Sequence, residues 1–311
     1  MIFPTYFNSK KSLNLYGLTE DFNILKKLYI KNKLPKVLML SGKKGSGKAT
    51  LINHLMFFIF DLNNYDEKNN KLHSETKFYN QFFNNIFENI IHLSGSDYKS
   101  IKVEDIRNLK KKIFQTSISD KPRFIILDDV ELFNSNSLNA LLKSIEEPSK
   151  NNYFLLINNK TKPLLDTIKS RSLEIKIILD NKKRDQIIEL LINNFNLNLK
   201  LDKDYLNVSP GYFLKFNYIC EVNNICLNED FLKNLTLILN LYKKNKDVVY
   251  VDFILFLTNF YFNKLKVNEV ISREKIIEYK SFVFENINKF FLYNLNQNAL
   301  LNAINNKIIN E

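Results

Sequence analysis

Gly42, Gly45, Ser46, Gly47 and Lys48 stand in the frame Gly-x-x-x-x-Gly-Lys, followed by Ala49 and Thr50. Those residue types suit one task, holding phosphate. Glycines leave backbone N–H groups free to converge on an anion, and the lysine adds a point charge. The full pattern puts Ser or Thr directly after the lysine, where a hydroxyl holds magnesium, and here that residue is Ala49. Thr50 comes one residue late, and one residue turns a side chain about 100° around a helix, away from the metal. ATP with magnesium is therefore expected to bind weakly or not at all. A second set is Asp128 and Asp129, closing an apolar run. Carboxylates there suit a magnesium ion, at Asp128, and an attacking water, at Asp129, which is one methylene shorter than the usual Glu. Asn159 closes another such run.

The elements that must position these groups follow from periodicity. Val37, Leu38, Met39 and Leu40 make a short strand before the glycines. After them Leu51, Ile52, Leu55, Met56 and Ile59 repeat with helical spacing, so a helix begins at the loop and aims its positive end at the same anion. Residues 63–85 are polar and irregular and are expected to be mobile. Further strands are predicted over 90–93, 124–127, 153–157 and 173–177, with helices between them carrying Ile106, Leu109, Leu138, Leu141 and Ile145 on their apolar faces. Strands alternating with helices give an α/β fold with a mostly parallel sheet. Gly42, Asp128 and Asn159 then lie at strand C-terminal ends, where ligands bind. After residue 181 only helical patterning remains, with a break at Ser209-Pro210-Gly211 and a linker over 223–228.

Composition narrows the function classes. The 311 residues suffice for about two or three domains with buried cores. Cys220 and Cys226 are too few for a disulfide framework or a four-ligand zinc site, so no zinc is expected. No apolar signal segment opens at Met1, and a cytoplasmic location with no membrane partner is expected. The greasiest run, 248–262, is interrupted by Asp252, Thr258 and Asn259 and is read as a buried helix too short to span a bilayer. A formal charge of +12 would suit nucleic acid, yet the lysines are scattered, so charge alone decides nothing.

Three motifs together carry a resemblance: GKKGSGKATL from Gly42, FIILDDVELFNSNSLNALLKSIEEP from Phe124, and TIKSRS from Thr167. The chain resembles the bacterial clamp-loader AAA+ family of DNA polymerase III. The resemblance implies an AAA+ P-loop domain over 1–178, a small helical lid over 179–223 and an all-α collar domain over 224–311. By position it implies that Lys48 is the phosphate-loop lysine, Asp128 and Asp129 the acidic pair, Asn159 the first sensor, and Arg171 an arginine finger acting in trans on a neighbour's nucleotide. Departures are Ala49, Asp129, Ser172 in place of Cys, and Tyr212 where the lid's sensor arginine would stand. A stator role follows, with gamma/tau-type and delta-type subunits, a sliding clamp and, through the complex, primed DNA as partners. A gamma/tau-type motor ATPase and a DNA-binding module with a relic nucleotide fold are the alternatives.

Overall fold

Apolar runs bounded by Gly, Asn or acid become strands, because long aliphatic side chains fill both faces of a sheet that helices cover. The computed structural model describes residues 4, 7–8, 11–96, 103–114, 121–201, 208–267 and 272–309. Its strands are β1 (Val37–Ser41), β2 (Ile90–Ser94), β3 (Arg123–Asp128), β4 (Asn152–Asn158) and β5 (Leu173–Lys176). They pair in parallel in the order β2-β3-β4-β1-β5. Helices α1 (Thr19–Ile30), α2 (Lys48–Phe60), α3 (Lys77–Phe83), α4 (Val103–Phe114), α5 (Ser135–Glu146), α6 (Asp166–Lys169) and α7 (Asn181–Phe195) intervene and follow.

Alternate strand residues feed two separate cores. Leu38, Leu40, Phe124, Ile126, Leu155 and Ile157 join Phe22 of α1 and Leu51 and Leu55 of α2. Val37, Met39, Ile125, Leu127, Phe154 and Leu156 face the other way, onto Ile106 and Leu109 of α4 and Leu138 and Leu141 of α5. Burying one Leu or Phe side chain contributes about 1.5–3 kcal/mol. A one-residue slip of any strand would exchange the two cores, so the register is strongly fixed.

Two sequence expectations need correction here. The stretch 63–85 contains α3, whose Phe78 and Phe82 are buried with Phe57 of α2 at ring separations of 4.8 and 5.7 Å. Aromatic side chains at helical spacing order a segment that its asparagines made look irregular. The run 248–262 belongs to a longer helix, Val248–Val267, which is long and apolar enough to cross a membrane by length and composition. Its Tyr250, Phe253, Ile254, Leu257 and Phe262 are nonetheless buried inside the protein.

Contacts divide the chain into two units. One holds Ile2–Phe195 with Val208–Tyr212, and the other holds Asn196–Asn207 and Phe213–Glu311. The elements of the second, among the described residues, are all helices: the body of α8 (Pro210–Asn223), then α9 (Phe231–Asn245), α10 (Val248–Val267), α11 (Arg273–Tyr293) and α12 (Gln297–Ile309). Phe216 of α8 stacks on Phe253 and Phe256 of α10 at 4.9 and 5.0 Å, and α10 packs between α9 and α11. Cys220 is buried, Cys226 exposed, and both are free.

Candidate functional site

Strand order decides which residues meet. Because β4 lies between β1 and β3, the residue after β4 sits between the loop after β1 and the acids after β3. Asn159 is that residue. Register carries Ser41 opposite Asn158, and the Gly42 amide donates to the Asn158 carbonyl at 3.1 Å.

The phosphate loop runs from Gly42 to the start of α2 at Lys48. Gly47 caps α2 with φ of 91°, a left-handed conformation that a side chain would strain. Lys48 is 2% exposed, and its ammonium donates to the Gly42 carbonyl at 2.9 Å, the Lys43 carbonyl at 2.8 Å and the Ser46 hydroxyl at 3.3 Å. Burial lowers its pKa to about 8, against the opposing pull of Asp128, Glu131 and Asp129. The sequence-predicted loop residues thus form one cradle, with Ala49 packed on the core and Thr50 buried in α2.

The cradle is covered from a distant part of the sequence. The Ser209 hydroxyl donates to the Lys44 carbonyl at 2.6 Å, and the Gly211 amide donates to the Gly45 carbonyl at 3.0 Å. Periodicity marked Ser209-Pro210-Gly211 only as a break; its seat on the loop is a long-range fact.

The acid turn is equally knitted together. Asp129 has φ of 50°, a left-handed conformation that Asp tolerates better than most residues, and its amide donates to the Asp128 carboxylate at 2.9 Å. Asn159 Nδ2 donates to Asp129 Oδ1 at 2.6 Å. Sequence reasoning missed Glu131, a buried residue of the short 3₁₀ turn Val130–Leu132. Its carboxylate accepts from the Asn159 amide at 3.1 Å and from the Thr161 amide and hydroxyl at 3.3 and 2.8 Å. The signal was a third acid two residues after the pair, which reads equally well as a solvated turn.

Arg171 lies elsewhere, after α6. Its guanidinium meets Glu146, the last residue of α5, at 2.6 Å and donates to the Thr167 carbonyl at 2.9 Å. The two side chains are 35% and 41% exposed, so this is a solvated pair and not a bare arginine.

For a phosphate group the cradle fits, through loop amides and Lys48. For magnesium the fit is poor, because Ala49 offers no oxygen, and among the described residues no group of three or more His, Cys, Asp or Glu could hold a metal.

Sheet order, the glycine loop after β1 and the acids after β3 define a P-loop fold of the AAA+ type. The profile of the family described as DNA polymerase III, delta subunit, matches residues 17–180, and the chain belongs to that family. It is similar to the DNA polymerase III subunit delta' of Buchnera aphidicola subsp. Baizongia pistaciae, 27% identical over 56% of this chain and 53% of that one. The subunit delta' of Buchnera aphidicola subsp. Acyrthosiphon pisum is 28% identical over 59% and 60%. The subunit gamma of Buchnera aphidicola subsp. Schizaphis graminum is 30% identical over 50% and 44%. The match thus spans about half the length of these curated relatives. Among solved structures, a DNA polymerase III gamma subunit-related protein of Thermotoga maritima superposes with a TM-score of 0.46 at 16% identity, covering 91% of this chain and 98% of that one. That overlap is too loose to bear on function.

Proposed function

We propose that this protein is a delta-prime-type subunit of the DNA polymerase III clamp loader, a cytoplasmic stator that offers Arg171 to a neighbouring ATPase subunit during sliding-clamp loading. Family membership supports the assembly, with gamma/tau-type and delta-type subunits as neighbours, the clamp as cargo, and primed DNA reached through the complex. The domain division belongs to the same proposal: an AAA+ domain to residue 178, a lid over 179–223 and a collar from 224.

The observation that carries the stator reading is the state of Asp129. A water-orienting carboxylate must face the γ-phosphate, whereas Asp129 is short, left-handed and bound to Asn159 at 2.6 Å. ATP, when held, would lie on the loop amides and Lys48, and Ala49 offers no hydroxyl to a metal. Arg171 can serve a neighbour because its hold on Glu146 is exposed and exchangeable, and a guanidinium matches two phosphate oxygens in parallel.

The gamma relative and the near-complete glycine loop favour one rival, a motor ATPase. Steady-state ATP turnover by the purified chain separates them. The stator reading expects negligible turnover; motor-like turnover abolished by Lys48→Ala would establish the rival.

A further inference from the structure

We infer that Ser209 and Gly211 form a latch that holds the start of α8 on the phosphate loop without any nucleotide. The inference takes its purpose from the stator reading, since a helix start fixed on the loop cannot report a nucleotide cycle, but its contacts stand independently of that reading. Both partners belong to one unit, which holds Ile2–Phe195 and Val208–Tyr212.

Two hydrogen bonds join the segments, Ser209 hydroxyl to Lys44 carbonyl at 2.6 Å and Gly211 amide to Gly45 carbonyl at 3.0 Å. The second uses an amide in the first turn of α8, where helix geometry supplies no acceptor. The loop carbonyl thus satisfies a group that would otherwise need water or a ligand. Contact is as close as backbone allows: a Cβ on Gly211 would lie 3.0 Å from both the Cα and the carbonyl oxygen of Gly45. A Cβ on Gly45 would lie 2.5 Å from the Ser209 hydroxyl oxygen. Two glycines at one crossing let two backbones touch, and Pro210 between the bonded residues presets the helical start.

The side-chain chemistry of α8's start points the same way. Ser209, Pro210, Gly211 and Tyr212 carry no cation, and the first in α8 is Lys215, in its second turn. Lys48 meanwhile turns its ammonium to the carbonyls of Gly42 and Lys43 in the same loop. The loop is therefore held from both sides by the chain itself, Lys48 from within and the latch from without. The two hydrogen bonds of the latch use backbone groups and one hydroxyl, with no charged side chain.

Gly211 has no left-handed backbone to preserve, and alanine favours a helix, so Gly211→Ala tests the contact without harming α8 itself. Hydrogen exchange of the full chain, read at residues 43–47 and 208–212 with and without millimolar MgATP, is the measurement. Wild type should show the same protection in both segments whether or not MgATP is present. Gly211→Ala should speed exchange in both segments together, by about tenfold for one lost hydrogen bond with its packing. Ser209→Ala, which adds no bulk, should give a smaller rise in the same two segments while α2 stays protected. Protection of 208–212 that rises on adding MgATP to wild type would overturn the latch, as would a Gly211→Ala chain whose two segments exchange as in wild type. ATP turnover measured on the same samples keeps the readings apart, because motor-like turnover with an unresponsive latch would sink the stator and leave the latch standing.

Discussion

Lys48 and Arg171 are both cations that the family resemblance assigns to phosphate, and the fold treats them in opposite ways. Lys48 is buried against three acceptors of its own loop and its charged form is disfavoured, with its pKa down at about 8. Arg171 stays in partial contact with water, with an exposed carboxylate, a carbonyl and the Ser170 hydroxyl as partners. An internal cation locked into its own loop works as part of the architecture, while an exposed, loosely paired one remains available to a second molecule. That difference is what the proposed stator role would draw on.

The comparison can be broken most forcefully at Glu131, the carboxylate that knits the acid turn to the residues after β4. Glu131→Ala removes the hydrogen bonds that a buried carboxylate accepts from the Asn159 amide and from the Thr161 amide and hydroxyl, and should cost about 3 kcal/mol in denaturant unfolding. Glu131→Gln should recover part of that. Unfolding free energies within experimental error of wild type for both variants would mean the brace is decorative.

The burial of Lys48 has a pH signature of comparable size. Its folded pKa, about 8, lies below its ordinary value of 10.5, so between those limits the unfolded chain binds more protons and stability rises with pH. The contribution approaches about 1.4 kcal/mol per pH unit inside that window and vanishes below it. Lys48→Met should flatten the difference between pH 8 and pH 10.5. Equal slopes for wild type and Lys48→Met would place the ammonium in water.

The smallest effect is expected at Arg171. An exposed ion pair contributes about 0–1 kcal/mol, so Arg171→Ala should leave the melting temperature within a few degrees of wild type. A loss of several kcal/mol would make Arg171 part of the architecture and erase the contrast with Lys48.

Much of this was legible in the sequence, for reasons that can be traced residue by residue. Gly42, Gly45, Gly47 and Lys48 announce the loop because their chemistry and their strand-before, helix-after context agree. Asp128, Asp129 and Asn159 were placed together because parallel strands put their C-terminal ends on one side. Glu131 was missed because an acid in a short turn has no periodicity to betray burial. The α3 helix was missed because asparagines and lysines diluted Phe78 and Phe82. Neither the Glu146 partner of Arg171 nor the seat of Gly211 on Gly45 could be read, since both join residues far apart in the chain, 25 and 166 positions respectively.

The central claim, that this chain acts on a neighbour's nucleotide through Arg171 and not on its own through Lys48, is tested most directly by DNA-stimulated ATP turnover in a complex reconstituted with its motor subunits and clamp. Arg171→Ala should assemble normally and lose the activity of one ATP site, with Arg171→Lys rescuing poorly because a lysine lacks the planar fork. Lys48→Met should assemble and turn over ATP at the wild-type rate. The reverse pattern, full activity with Arg171→Ala and a lost site with Lys48→Met, would contradict the account.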